Sequence, residues 1–190
     1  MGSEKFKRVV DDFEAAWDSV MARADVRAMV MGPSLRGHIN QQAKVARALR
    51  KAIVKRCDDL GVAVVPEHRR LVGASQKFLK QAHNLCLHEL RLAEQCDLII
   101  ILPATAGPLV ELGMFAERPG LRAKSVLIVF DRMYRQRQSF INDGPRKAYD
   151  RLKARILDVD YGDVDTVLAE VDTLVAYEQA TKASGAALRE

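Results

Sequence analysis

Apolar residues recur along the chain in two alternating kinds of pattern. Runs that are apolar at consecutive positions predict buried strands at 27–31, 62–65, 97–102, 125–130 and 156–159. Apolar residues three and four positions apart predict helices over 4–24, about 39–60, 75–95, from 107 onward, and from 164 to about 177. Gly61 is placed to end the second of these helices. The alternation predicts a mostly parallel five-stranded sheet with helices on both faces.

The same pattern predicts how the chain divides into segments and where a ligand binds. We expect an N-terminal helical extension at 1–26, one α/β domain at 27–180 and a C-terminal tail at 181–190. In such sheets, ligands bind beyond the carboxyl ends of the strands, where the strand order reverses. The loops after the first and third strands are therefore the candidate site.

The amino-acid composition is that of a folded, globular protein. The chain has 190 residues, of which 48% are hydrophobic and 29% are charged, and this balance excludes a disordered chain. The longest apolar run, at 98–102, is too short to span a membrane, so we expect no membrane partner. Three scattered cysteines favour a reducing, cytoplasmic setting. The net charge of +5 suits an anionic ligand without selecting nucleic acid over a small phosphate.

The loop after the first strand has the composition of an anion site. It contains Gly32, Ser34, Arg36 and Gly37 and leads directly into a helix. Small residues let the backbone approach a ligand, and the free N–H groups of a helix start favour an anion. The Ser34 hydroxyl and the planar Arg36 guanidinium suit phosphate oxygens. The alternative is a simple strand-to-helix turn with a surface arginine.

The loop after the third strand leads to an acidic residue. A helix that opens at Gly107 and Pro108 places Glu111 in its first turn, where the positive end of the helix favours an ionised carboxylate. Such a carboxylate could attack a sugar carbon as a nucleophile. The alternative is an ordinary first-turn acid that only stabilises the helix. Gly113 permits close packing or the approach of a ligand.

A second acid, Glu89, lies eight residues before Asp97, near the C-terminal end of the preceding helix. Two carboxylates that flank one site can divide attack and proton transfer between them. Taken alone, Glu89 fits a solvated helix residue better than a catalytic one.

Five segments in register resemble the nucleoside 2-deoxyribosyltransferase superfamily, and most closely its 2′-deoxynucleoside 5′-phosphate N-hydrolase and CMP N-glycosidase branch. They are Met-Val-Met-Gly-Pro-Ser-Leu-Arg-Gly at 29–37, Val-Val-Pro-Glu-His at 64–68, His-Glu at 88–89, Gly-Pro-Leu-Val-Glu-Leu-Gly at 107–113, and the pair of segments at 139–141 and 160–165. The resemblance covers most of residues 27–175 and implies a flavodoxin-like (Rossmann-like) fold.

The resemblance also implies an activity and a set of roles. Glu111 would attack the anomeric carbon of a nucleoside 5′-monophosphate, displace the base and form a glycosyl-enzyme intermediate that water hydrolyses. Glu89 would help to protonate the base or orient the sugar. Substrate and phosphate would be held by a larger set, namely Gly32, Ser34, Arg36, Gly37, Gly107, Gly113 and Ser139. A homodimer would complete the site across its interface, and no cofactor would be needed.

Other functions stay open beside this hydrolase. A transferase would pass the sugar to another base, and a nucleotide-binding sensor would use the same scaffold without catalysis. Residues 121–155 contain ten Lys or Arg and three acids, a net charge of +7, so RNA binding is a third alternative. We nevertheless expect no nucleic-acid partner, because runs of charged residues usually form solvated faces. We expect no metal site either. On a helix, His83 and Cys86 share a face but His88 points elsewhere. A structural zinc site also requires four ligands.

Overall fold

A computed structural model of the chain describes residues 26–35, 41–65, 85–121, 124–132, 141–152 and 154–187. Its sheet has five strands in the order β2-β1-β3-β4-β5, and every pair of neighbours is parallel. The strands are β1 (Arg27–Met31), β2 (Ala63–Val64), β3 (Leu98–Ile101), β4 (Ser125–Asp131) and β5 (Arg155–Val159). The predicted five-stranded parallel sheet and the α/β flavodoxin-like fold class are confirmed.

Helices cover both faces of this sheet. They are α1 (Gln41–Asp59), α2 (Leu85–Gln95), α3 (Ala106–Ala116), α4 (Lys147–Arg151), which continues a π-helical turn (Asn142–Arg146), and α5 (Val164–Ala187). Side chains of β1, β3 and β4 alternate between two cores, because successive residues of a strand point to opposite faces. The core under α1 and α5 includes Ile100 and Leu127, and the core under α2, α3 and α4 includes Ile101 and Ile128.

Two helix boundaries differ from the predictions. Helix α3 begins at Ala106, so Pro108 is its third residue. Proline has no backbone N–H to donate. Because the N–H groups of the first turn have no partner within the helix, proline is tolerated throughout that turn. Helix α5 continues to Ala187, ten residues beyond the predicted end near Tyr177. Gly61, by contrast, ends α1 as predicted, with a φ of 72°.

Some predictions lie outside the described residues. These are the helix at 4–24, the first half of the helix at 75–95 and the last three residues of the C-terminal tail. None of the helices within the described ranges is long and apolar enough to cross a membrane.

Candidate active site

The strand order reverses between β1 and β3, so the two candidate loops lie side by side. From β1 the chain crosses to β2 on one side, and from β2 it returns to β3 on the other side of β1. Met31, the last residue of β1, is in register with Ile101, the last residue of β3. The loops after these residues therefore leave the same edge at the same height, and this edge is the crevice in which parallel α/β sheets bind ligands.

Two glutamates meet beside this edge. Glu89 of α2 and Glu111 of α3 form a side-chain hydrogen bond, and both are partly shielded from solvent. Burial raises the pKa of Glu89. Burial, the charge of Glu89 and the hydrogen bond together raise the pKa of Glu111 to about 7. The pair therefore retains one proton near neutral pH, because two adjacent carboxylates cannot both ionise cheaply.

The position of Glu111 in its helix and its raised pKa differ from the sequence prediction. Glu111 is the sixth residue of α3, and the first turn of that helix carries no acid. The positive end of a helix acts within about one turn, so it does not hold this carboxylate ionised. The hydrogen bond lowers the pKa of Glu89 and raises that of Glu111. Both pKa values are raised by burial, so the two carboxyls share one proton between them.

Arg50 is a site residue that the sequence analysis missed. Its guanidinium donates to the carbonyl of Val30 at 2.8 and 3.1 Å, and to the carbonyls of Gly32 and Pro33 at 3.4 and 3.0 Å. The same positive charge acts on Glu111 and lowers its pKa against the effects of burial. Arg50 thus ties the end of β1 to the glutamate pair. A charged side chain within the apolar stripe of the predicted helix was the signal that could have found it.

The structure separates the predicted glycines into two groups. A Cβ on Gly107 would lie 4.0 Å from Oε1 of Glu111, and a Cβ on Gly32 would lie 3.1 Å from Cδ of Arg50, so both border the site. A Cβ on Gly113 would instead lie 3.9 Å from Cγ of Pro145. Gly113 therefore faces the π-helical turn, on a side of α3 away from Glu111, because two residues along a helix turn the side-chain direction by about 200°.

The remaining predicted site residues are only partly described. Ser34 is exposed, two residues beyond the carbonyl of Gly32 that Arg50 binds. Arg36, Gly37 and Ser139 lie outside the described residues. Their assigned contacts with a phosphate stay predictions.

A cavity of about 840 Å³ lies behind α3, apart from the glutamates. Its walls come from α3 and from the segment 141–151, and they include Val110, Gly113, Met114, Ile141 and Pro145. Neither glutamate lines it. This cavity is therefore separate from the acid pair.

Within the described ranges, no group of three or more His, Cys, Asp or Glu side chains is arranged to hold a metal ion. The chemistry that the described residues offer is that of two carboxyl groups that share a proton, with a fixed cation nearby.

A comparison with known families decides the relationship of this chain. A model of the STM3845 retron effector protein family matches residues 47–184, well over half of the sequence. The chain belongs to the STM3845 retron effector family. The matched range contains α1 from residue 47 onward, the glutamate pair, β2, β3, β4 and β5.

One curated relative of this retron effector comes from Escherichia coli. The "Retron Ec86 putative ribosyltransferase/DNA-binding protein" is 41% identical over 75 residues, which are 40% of this chain. The match spans 22% of the length of the Ec86 protein. A ribosyltransferase is compatible with the expected pentosyltransferase-like enzyme, and nothing in the name refers to hydrolysis.

These comparisons correct several expectations. The chain is a retron effector family member, so its assignment to the nucleoside 2-deoxyribosyltransferase superfamily was wrong. The predicted hydrolysis of nucleoside 5′-monophosphates was wrong with it, as was the implied place in nucleotide metabolism. The expectation of no nucleic-acid partner conflicts with a relative that is named a DNA-binding protein. The expected nucleotide substrate and the expected site completed by a homodimer were inferred from the same resemblance and lose their support.

Proposed function

We propose that this retron effector family member transfers a ribosyl group, and that Glu111 and Glu89 are its catalytic pair. The observation that supports this most directly is the hydrogen bond between the two carboxyls at the reversal of strand order. A carboxylic acid beside a carboxylate supplies both a proton donor and a negative charge, which are the two groups that glycosyl transfer requires. The name of the Ec86 relative supports the same reaction class.

In this proposal Glu111 carries the shared proton and Glu89 is ionised. A bound ribosyl donor replaces the hydrogen bond between the two acids. The bond from C1 to the leaving group breaks, the electron pair stays with the leaving group, and the proton of Glu111 goes to it. The ionised Glu89 faces the positive charge that develops at C1, until an acceptor attacks that carbon and gives its proton to the Glu111 carboxylate. Arg50 keeps the pKa of Glu111 from rising further.

A pair of synthetic ribosyl donors tests these roles. The 4-nitrophenyl β-D-ribofuranoside releases a leaving group that needs no proton, whereas phenyl β-D-ribofuranoside releases one that does. Glu111→Gln is expected to slow release of phenol about 10²–10⁴-fold, the usual contribution of a general acid, and to slow release of 4-nitrophenol far less. Glu89→Gln is expected to slow both.

The control is Glu94→Gln, which changes an exposed carboxyl on the same helix as Glu89. It is expected to leave both rates unchanged. Equal losses for the two donors in Glu111→Gln would remove its role as the acid. Wild-type protein that releases neither phenol in the presence or absence of DNA would defeat the proposed reaction.

We further propose that DNA is a partner of this chain. The relative named as DNA-binding and the formal charge of +5 both favour an anionic polymer. Fluorescence anisotropy with a labelled 20-nucleotide single strand tests the association. Wild-type protein that leaves the anisotropy unchanged at low salt would overturn it.

A further inference from the structure

Helix α1 presents one buried face and one face to solvent. Its buried stripe consists of Ala43, Ala46, Leu49, Ile53 and Cys57, which pack on the sheet. The opposite face carries three exposed lysines, namely Lys44, Lys51 and Lys55. They are seven and four residues apart, so they follow one line along the helix.

The charge along this helix is uneven. Residues 41–57 contain no Asp or Glu and carry six cations, which are Lys44, Arg47, Arg50, Lys51, Lys55 and Arg56. The acids Asp58 and Asp59 follow only at the last two positions of α1. The helix is therefore strongly positive along its first four turns and neutralised at its end.

Two cations that form ion pairs lie toward the end of the helix. Lys55 forms an ion pair with Asp59 at 2.7 Å, and Arg56 forms one with Asp172 at 2.7 Å. Lys44 and Lys51 have no hydrogen bond or ion pair with any residue that the structure describes. The unpaired lysines are thus the two nearest the beginning of the helix.

The beginning of α1 is an unfavourable place for a lysine. The amide groups of a helix start are themselves positive, and the first turn of α1 contains Lys44 and no acid. Folding alone would favour an acid there. An exposed concentration of positive charge that the fold does not use is typical of a surface that binds an anion.

The beginning of this face lies at the same edge of the sheet as the two glutamates. Helix α1 follows β1, so its first residues lie at the edge where β1 ends. Arg50, in the same helix, contacts the last carbonyls of β1 and acts on Glu111. Lys44 and Lys51 are about 10 Å apart along the helix axis, a distance that spans about three phosphates of a DNA strand. An anionic strand along these lysines reaches the edge that carries the catalytic pair.

We propose that the exposed face of α1, defined by Lys44 and Lys51, binds the phosphate backbone of DNA and leads the strand to the edge beside Glu89 and Glu111. This inference rests on the proposed association with DNA and adds the surface that carries it. Phosphate contacts of lysines are independent of base sequence, so the face predicts binding without strong sequence preference.

Charge reversal with a matched control tests the surface. The variant is Lys44→Glu/Lys51→Glu, and the control is Arg91→Glu/Arg118→Glu, two exposed arginines on α2 and just after α3 at the other face of the sheet. Both changes remove the same net charge. Affinity for the labelled 20-nucleotide strand is measured by anisotropy across a salt series.

The α1 variant is expected to bind at least tenfold more weakly near 0.1 M salt. Because each phosphate contact on a single strand contributes about 0.7 to the slope of log K against log salt, loss of two contacts lowers that slope by about 1.4. The control is expected to retain the wild-type slope. Matched unfolding curves in urea verify that both variants are folded.

The possible failures are distinguishable. Equal loss of affinity in the variant and the control would show an effect of net charge and overturn the assigned surface. An unchanged slope in the α1 variant, with normal binding by the wild type, would overturn the surface and leave the DNA association standing. A preference for an RNA strand of the same sequence would replace DNA as the occupant. No binding by the wild type would overturn the association and the surface together.

Discussion

The guanidinium of Arg50 and the carboxyl of Glu111 act on each other across the boundary between β1 and β3, although α1 and α3 carry them on different crossovers. Arg50 is fixed by the carbonyls of Val30, Gly32 and Pro33. Its charge therefore has a set position relative to the acid pair. The pKa of Glu111 reflects a balance in which burial and Glu89 raise it and Arg50 lowers it.

Replacement of Arg50 changes that balance in a known direction. Arg50→Met is expected to raise the pKa of Glu111 further, because the attractive charge of Arg50 is removed while burial and Glu89 stay. The change also leaves carbonyls at the end of β1 without their donor, at a cost of about 1.5–3 kcal/mol. ¹³C NMR titration of labelled glutamate carboxyls measures the first effect, and urea unfolding measures the second.

Arg50→Lys separates the two effects. A lysine keeps the charge but lacks the planar fork, so it is expected to restore the pKa of Glu111 better than the stability of the end of β1. A pKa of Glu111 that stays the same in Arg50→Met would contradict the electrostatic link between these residues.

The raised pKa of Glu111 makes stability depend on pH. Its folded value of about 7 lies above the ordinary value of 4.5. The unfolded chain therefore releases this proton first, and the folded state loses stability as pH rises from about 4.5 to about 7. Allowing for partial exposure, the loss is on the order of 2 kcal/mol. Glu111→Gln is expected to remove it, so the variant becomes the more stable protein at pH 8.

Urea midpoints at several pH values measure this effect, with Glu94→Gln as the exposed control. The difference between wild type and Glu111→Gln is expected to grow between pH 4.5 and 7 and then to level off. A difference that is constant with pH would show that Glu111 is not held protonated in the folded chain.

Two glycines are expected to respond differently to alanine. Gly113→Ala adds a Cβ at ordinary contact distance, 3.9 Å from Pro145, within a helix. The change is expected to stabilise the protein by about 0.5–1 kcal/mol, because glycine is the poorer helix former. Gly32→Ala places a Cβ 3.1 Å from Cδ of Arg50 and 3.4 Å from Cβ of Leu102, so Arg50 must move.

Activity distinguishes the two glycines as well as stability does. Gly32→Ala is expected to slow ribosyl transfer through the displaced Arg50, whereas Gly113→Ala is expected to leave it unchanged. Both variants are compared by thermal unfolding and by release of phenol. A slow Gly113→Ala variant would return Gly113 to the binding site that the sequence predicted for it.

A partly buried ion pair attaches the π-helical turn to the sheet. Arg146 donates to both carboxylate oxygens of Asp158 at 2.5 and 2.6 Å and lies 5.1 Å from the ring centroid of Phe130. Arg146→Ala leaves the Asp158 carboxylate, only 13% exposed, without this partner. The expected loss is about 3 kcal/mol, measured by urea unfolding.

The neighbouring residue provides the control. Lys147 pairs with Asp143 at 2.7 Å, but both side chains are at least 60% exposed. Lys147→Ala is expected to cost less than about 0.5 kcal/mol, because water screens such pairs. Losses of equal size at the two positions would show that burial does not strengthen the Arg146 pair.

The fold could be predicted from the sequence because its signals are local. Apolar runs such as Leu98–Ile101 identify strands that are covered on both faces, and the spacing from Ala43 to Cys57 identifies a helix with one buried side. The meeting of Glu89 and Glu111 followed less directly, from the rule that ligands bind at the reversal of strand order. Each of these inferences uses information that lies within one segment or in the order of segments.

The protonation of the pair could not be predicted in this way. It depends on the distance between side chains of two helices, on their burial and on a third helix that brings Arg50. The start of α3 at Ala106, before the predicted Gly107, leaves Glu111 beyond the first turn, where the positive end of the helix does not offset its burial. The expectation of no nucleic-acid partner, which the name of the Ec86 relative contradicts, rested on composition alone. The composition of a basic segment does not distinguish a solvated face from a surface that binds nucleic acid.

Asp97, at the opposite edge of the sheet from the glutamates, joins two distant parts of the chain. Its carboxylate accepts a bond from the backbone N–H of Arg27 at 2.9 Å and pairs with Lys182 at 2.7 Å. The entry to β1 and the last turns of α5 are thus held close together on that side. One carboxylate thus couples the first residue of the sheet to the last helix, and loss of Asp97 would release both contacts at once.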